Sequence, residues 1–227
     1  MSLFPTTRRS VVEALGSTDA FERARALDAV VSIYWRPLYK YARIAHRRDD
    51  AEDRTQSFLA YVLEKNALAS YDTAKASFRT FLRLLFDRHL ANEMKAERRL
   101  KRGGGAADLP FDEAEAELAR EHDRGGSPEE YFQREWARSV FSVAVERLRA
   151  GARDDDFALF QAYDLDDARL SYRELGARFG MSETTVTNRL AAMRRHFREH
   201  VLDVLRDATA SEREFRAEVR ALLGVDA

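Results

Sequence analysis

Residues 171–198 read SYRELGARFGMSETTVTNRLAAMRRHFR, and the fold of the chain is decided there. Tyr172, Leu175, Gly176 and Phe179 recur at i, i+3, i+4 and i+7, which places them on one face of a helix. Gly180 stands where that helix must stop, because glycine takes the left-handed conformation that ends it. Ser182 suits the cap of a second helix, accepting from its free N–H groups, and Glu183 suits the positive end of the helix dipole. Val186, Leu190, Met193 and Phe197 form the apolar stripe of that second helix. Its other face carries Thr184, Thr187, Asn188 and Ala191, flanked by Arg189, Arg194, Arg195 and Arg198.

Two short helices, a tight turn and such a face make the pattern of a DNA-reading helix-turn-helix. Small polar side chains near the start of a recognition helix reach base edges, and arginines around them hold phosphates. The plainer alternative is a helical hairpin with a solvated outer face. The Gly-Met-Ser turn followed by the Thr/Asn/Arg face favours DNA.

The chain has 227 residues, a length that suits one or two domains with cores of their own. Its formal net charge is −1 and it has no cysteine, which excludes a disulfide framework and any thiolate metal site. The start, MSLFPTTRRSVVEAL, has no apolar signal core, and no apolar run is long enough to span a bilayer. The expectation is a cytoplasmic protein without membrane attachment. Glycine and proline are few and Ala, Leu, Arg and Glu dominate, so the fold class is all-α. No enzyme site, cofactor site or metal site is read. His46, His89, His122, His196 and His200 lack ligand spacing, apart from the i, i+4 pair His196 and His200 on an Arg-rich helix end. Gly103, Gly104 and Gly105 lack the lysine and strand–helix setting of a phosphate loop.

Upstream, the stretch from Asp108 to Glu130 is strongly acidic and is bounded by glycines, a composition that predicts a mobile linker. Ser127-Pro128-Glu129-Glu130 at its end is a helix start with proline in the first position. Before the linker, Ser77 caps a helix rich in arginine, FRTFLRLLFDRHLANEMKAERRLKR. With Tyr71 and Lys75 just ahead, cations and aromatic rings are interleaved there. That mixture suits single-stranded nucleic acid, where stacking contributes roughly 1–3 kcal/mol per base; the alternative is a surface helix with an aromatic core stripe. Earlier still, Asp19–Arg43 is helical with Pro37 as a break or kink. Asp49 to Asp53 then opens a helix whose Phe58, Leu59, Val62 and Leu63 face inward, with Arg54 and Gln56 outward. Phe4-Pro5-Thr6-Thr7 precedes a short first helix. Downstream of the linker, Tyr131–Leu148 and Asp154–Tyr163 supply apolar faces to support the reading helix. Ser211–Leu223 is a last amphipathic helix that packs on its own domain or binds elsewhere.

In their order, DDAED (49–53), SYDTAKASFRTFLRLLFDRHLANEMKAERR (70–99), a variable linker and SYRELGARFGMSETTVTNRL (171–190) resemble the extracytoplasmic-function branch of the bacterial sigma-70 factors. The resemblance implies two small helical domains joined by a flexible acidic linker. It divides the chain into an N-terminal extension (1–19), a region 2 domain (20–102), the linker (103–130), a region 4 helix-turn-helix domain (131–205) and a C-terminal extension helix (206–227). It implies a factor that recruits core RNA polymerase to promoters and assists their melting. Asp49, Asp50, Glu52, Asp53 and Gln56 would face the polymerase β′ clamp helices, with the β flap as a further contact. Tyr71, Lys75, Ser77, Arg79, Arg83, Arg88 and Asn92 would serve the −10 element, and Ser182, Glu183, Thr184, Thr187, Asn188 and Arg189 the −35 element of promoter DNA. Phe81 stands where many members have Trp, Asn92 where Asp is common, Arg54 where Leu is frequent and Ser57 where Glu is frequent. Some members that lack acidic charge in this helix use a phosphorylated hydroxyl there, which makes Thr55 and Ser57 candidate phosphorylation sites for a Ser/Thr kinase. An anti-sigma factor is a further partner the family implies. The rival of another class is a stand-alone helix-turn-helix regulator that binds an operator as a dimer; a third is a helical adaptor that does not bind DNA.

Overall fold

The computed structural model describes residues 11–45, 48–64, 67–101, 127–166 and 170–224. Every regular element among them is helical: α1 (Val11–Leu15), α2 (Ala20–Ala45), α3 (Ala51–Glu64), a 3-10 turn (Ala67–Ser70), α4 (Phe78–Lys101), α5 (Pro128–Gly151), α6 (Asp154–Phe160), a π turn (Gln161–Leu165), α7 (Tyr172–Phe179), α8 (Glu183–Asp207) and α9 (Glu212–Leu223). Of the linker expected over 103–130, residues 103–126 lie outside the described residues, as do Phe4 to Thr7, while its last residues, Pro128 to Glu130, open α5. No described helix is long and apolar enough to cross a membrane.

Two compact units divide the chain. One takes residues 1–139 together with 206–227, and the other takes 140–205. The start of α5 and the whole of α9 therefore belong with the N-terminal helices. The N-terminus of α5 is closed by reciprocal bonds, Ser127 N–H donating to Glu130 Oε2 at 2.7 Å and Glu130 N–H donating to Ser127 Oγ at 3.2 Å. Two donors that no helical carbonyl can serve are satisfied in this way.

In the larger unit the core is aromatic. Tyr34 meets Phe78 edge-on at 5.7 Å, Tyr41 meets Phe132 at 5.6 Å, and Phe58 packs on Phe86 at 4.8 Å, so α2, α3, α4 and α5 share one interior. Pro37 does not break α2, which runs on to Ala45. A proline there removes one i→i−4 hydrogen bond. Tyr34, Leu38, Tyr41 and Ala42 around it are almost wholly buried, and that burial offsets the loss.

Helix α9 is fixed to this core by two carboxylates. Glu214 accepts from the Phe78 N–H at 2.5 Å, from the Ala210 N–H at 2.9 Å and from the Tyr71 hydroxyl at 3.4 Å, so a residue of α9 caps the start of α4. One turn on, Glu218 pairs with Arg79 at 2.8 Å, and the Arg79 guanidinium lies over Trp136, 4.9 Å from the ring centroid. Phe215 and Val219 are buried beside them. Burial is the largest influence on both carboxyls and raises them above the usual value; the hydrogen bonds at Glu214 and the Arg79 charge at both oppose it.

A raised carboxyl means that the folded chain binds a proton more readily than the unfolded one. The stability contributed by such an acid is complete below its unfolded pKa and is lost as pH rises through the folded value. Glu214→Ala leaves two backbone donors without their acceptor and is expected to cost about 2–4 kcal/mol. The deficit against wild type should be larger at pH 5 than at pH 7. Urea denaturation at the two pH values measures both; a deficit that grows with pH would contradict the burial of this carboxylate.

Candidate nucleic-acid interface

The smaller unit presents the helix-turn-helix. Its first helix, α7, starts with a capping box. Ser171 Oγ accepts from the Glu174 N–H at 3.3 Å, and Glu174 Oε2 accepts from the Ser171 N–H at 2.8 Å. Hydrogen bonds from the Ser171 hydroxyl and then its backbone N–H hold the Glu174 carboxyl below its ordinary value. The helix ends at Gly180, which is left-handed at φ 67°. The Met181 N–H then turns back to the Gly176 carbonyl at 2.9 Å.

Gly176 decides how close the turn can come. A Cβ built on it would lie 2.6 Å from the Met181 carbonyl oxygen, closer than any side chain tolerates. The chain crosses itself at that point, and only glycine leaves room.

The second helix, α8, is capped by Ser182, whose Oγ accepts from the Thr185 N–H at 3.2 Å. Val186 and Leu190 are fully buried against Leu159, Ala162 and Leu175, with Leu170, Phe179 and Met181 closing around them. Farther along α8, Met193 and Phe197 pack with Leu148, Phe157 and Phe160. Those contacts fix which face is left outside. Ser182, Glu183, Thr184, Thr187, Asn188, Ala191, Arg195 and Arg198 are exposed. The Thr187 hydroxyl donates to the Glu183 carbonyl at 2.9 Å, so its hydrogen is spent within the helix while its oxygen and methyl remain outward. Arg189 is only half exposed and bonds Asp156 at 2.9 Å. Arg194 grips both oxygens of Asp164.

Other positions singled out in the sequence lie in the larger unit. Tyr71 donates to the Ala76 carbonyl and to Glu214, and it stacks on Phe81 at 5.0 Å. Ser77 caps α4, accepting from the Thr80 N–H at 3.3 Å. Arg79 is engaged by Glu218 and Trp136. Arg83 bonds the Tyr41 hydroxyl at 3.2 Å, Asp87 at 2.9 Å and Glu129 at 3.4 Å. Lys75, Arg88 and Asn92 are exposed. Two arginines of this helix, Arg79 and Arg83, are thus held inside its own unit. Among the acidic positions, Asp49 pairs with Arg43 at 2.7 Å. Asp50 takes Arg48 and Arg54, each at 2.7 Å; partial burial works to raise its carboxyl, and the two arginines together outweigh that and lower it. Glu52, Asp53 and Gln56 are exposed. Arg54 does not point out, because Asp50 and Glu93 draw it inward. Thr55 is fully buried, with its hydroxyl on the Ala51 carbonyl at 2.7 Å. Ser57 is exposed and donates to Glu93 at 3.0 Å.

Sequence reasoning missed the π turn and its Asp164. A π turn adds one residue to a helical round without changing composition, so no periodic signal announces it. Among the described residues, no three His, Cys, Asp or Glu side chains gather so as to hold a metal ion.

Residues 165–194 match the AsnC-type helix-turn-helix domain. No sigma-70 or extracytoplasmic-function family matches. No curated protein matches the chain. The resemblance to sigma factors, and the promoter-initiation role it implied, are therefore replaced by this finding. The matched stretch runs from the end of the π turn to the middle of α8, the same segment in which the exposed polar face is built.

Gly176→Ala should force the Gly176–Met181 contact apart and destabilise the smaller unit by about 1–3 kcal/mol, as overpacking usually does. Gly151→Ala is the control, since a Cβ there meets nothing within 4 Å. Thermal melts of the two variants should separate clearly; equal melting would contradict the close approach.

Proposed function

We propose that the chain is a stand-alone helix-turn-helix transcriptional regulator that binds duplex operator DNA, as a dimer, through α8. The observation that carries this is the outward face of Thr184, Thr187, Asn188 and Ala191 at the start of a helix whose opposite face is fully buried. The match of residues 165–194 to the AsnC-type helix-turn-helix domain supports it.

The chemistry of that face suits the major groove. Asn188 offers an amide donor and acceptor side by side, the pair that reads adenine N6 and N7. Thr187 and Ala191 present methyl groups suited to a thymine methyl. Arg195 and Arg198, one and two turns on, suit phosphates and position the helix without selecting sequence. One such helix covers only a few base pairs. Two copies on half-sites roughly 34 Å apart double the readout and give the operator a two-fold sequence symmetry.

The test is selection from a random duplex library with the full chain, followed by anisotropy titration of the enriched duplex and a scrambled one. A single enriched sequence with two inverted half-sites is expected. Asn188→Ala should weaken binding to it by about 1–3 kcal/mol and leave the scrambled duplex nearly unaffected. Equal affinity of wild type for both duplexes, or no binding at all, would sink the proposal.

A further inference from the structure

The arginines around the reading face of α8 do different work. Arg194, Arg195 and Arg198 are all exposed, so what separates them is their partners. Arg194 is held on several sides. Its Nε and Nη2 reach both oxygens of Asp164 at 2.8–3.1 Å. Its guanidinium lies over the Tyr163 ring, 5.2 Å from the centroid. Tyr163 in turn packs on Tyr172, with ring centroids 5.0 Å apart.

These side chains come from the two helices of the motif and from the π turn that precedes them. Tyr163 and Asp164 stand on the π turn, which the Asp166 N–H closes on the Gln161 carbonyl at 2.9 Å. Tyr172 is the first residue of α7, and Arg194 lies on α8. Both tyrosines also pack on the buried cluster of Leu159, Leu175, Val186 and Leu190. A π turn re-aims the side chains it carries, and such turns recur at functional positions. Here the turn delivers an aromatic face and a carboxylate to the same guanidinium. An arginine fork fits that pair of partners, whereas a lysine can offer neither the bidentate bond nor the stack.

We infer that Arg194, Asp164 and Tyr163 form a clamp that sets the angle of α8 against the π turn, and through Tyr172 against α7, so that base selection depends on residues that do not touch DNA. Base-edge hydrogen bonds are directional, and a small rotation of α8 moves the Asn188 amide away from its base. Arg194 is thus a positioning residue rather than a phosphate contact. This rests on the DNA-binding function proposed above.

The two roles differ in a measurable way. An arginine on a phosphate releases a counterion, so its loss lowers the slope of log K against log salt by roughly 0.9 and weakens all sequences alike. Lysine largely preserves such a contact. A clamp arginine leaves the salt slope unchanged and alters selectivity, and lysine fails in its place.

The experiment uses the full chain, the enriched duplex and the scrambled duplex, with titrations from 50 to 200 mM salt. For Arg194→Lys and for Asp164→Asn, the preference for the enriched duplex should fall on the order of tenfold, with the salt slope of wild type retained. Circular dichroism melts of both variants report whether the helices persist. Arg195→Ala serves as the phosphate reference and should lower the slope. A wild-type preference in Arg194→Lys, or a lowered slope in Arg194→Ala, would overturn the clamp while leaving the regulator intact. A wild type that prefers no duplex would remove the DNA-binding function itself, and the clamp with it.

Discussion

A methyl group on residue 176 would collide with the Met181 carbonyl, and the helix-turn-helix of this chain depends on that missing methyl. Because the backbone passes so close, α8 leaves the turn at an angle that buries Val186 and Leu190 completely. Their burial, together with the Ser182 cap, fixes the rotation of α8. That rotation puts Thr184, Thr187, Asn188 and Ala191 on the outside. The polar face is therefore a consequence of packing behind it. No hydrogen bond among the outward residues is needed to hold it in place.

The larger unit shows why a basic sequence is not the same as a basic surface. Helix α4 reads as a row of arginines with aromatic neighbours, the mixture a nucleic-acid groove uses. In the folded chain Arg79 lies between Glu218 and Trp136, and Arg83 is held by Tyr41, Asp87 and Glu129. Three of these partners, Glu129, Trp136 and Glu218, come from α5 and α9, far along the chain. Long-range acids neutralise local bases, and a charge run read segment by segment does not reveal it. The acidic side is similar: Asp50 is tied to Arg48 and Arg54 before any partner arrives.

The legible parts of the sequence were those governed by local rules. Gly180, Ser182, Ser77 and Pro128 mark helix ends, and each stands at one. The apolar stripes of α7 and α8 follow helical spacing; Leu175, Val186, Leu190 and Met193 are buried, and Tyr172, Phe179 and Phe197 are partly so. Of the break or kink read at Pro37, the break does not occur, because its cost of one hydrogen bond is local while the burial that sustains α2 around it is tertiary. The π turn is invisible because it changes the register by one residue and leaves the apolar pattern of α6 intact. The resemblance to sigma factors rested on sequence motifs in a given order and separation. The stretch that a family match supports is the helix-turn-helix alone, the part whose glycine and caps are fixed by backbone geometry.

The division of charge on α8 also bears on affinity. Arg189 and Arg194 are drawn towards Asp156 and Asp164, and α6 opens with three consecutive aspartates. On the helix-turn-helix the exposed cations are Arg173, Arg178, Arg194, Arg195 and Arg198, of which Arg194 is paired with Asp164. Non-specific attraction to duplex scales with the phosphates neutralised, so a surface of mixed sign holds DNA weakly in the absence of base contacts. Weak background binding sharpens the contrast between the right sequence and all others, because the genome offers a great excess of wrong sites. It also makes a lone copy inadequate on its own. In the proposed dimer, a second copy on an adjoining half-site would restore affinity through effective concentration and add no non-specific charge to either one. For the proposed regulator, whose reading helix gives part of its arginine to internal pairs, pairing of two copies would supply both affinity and selectivity that one copy lacks.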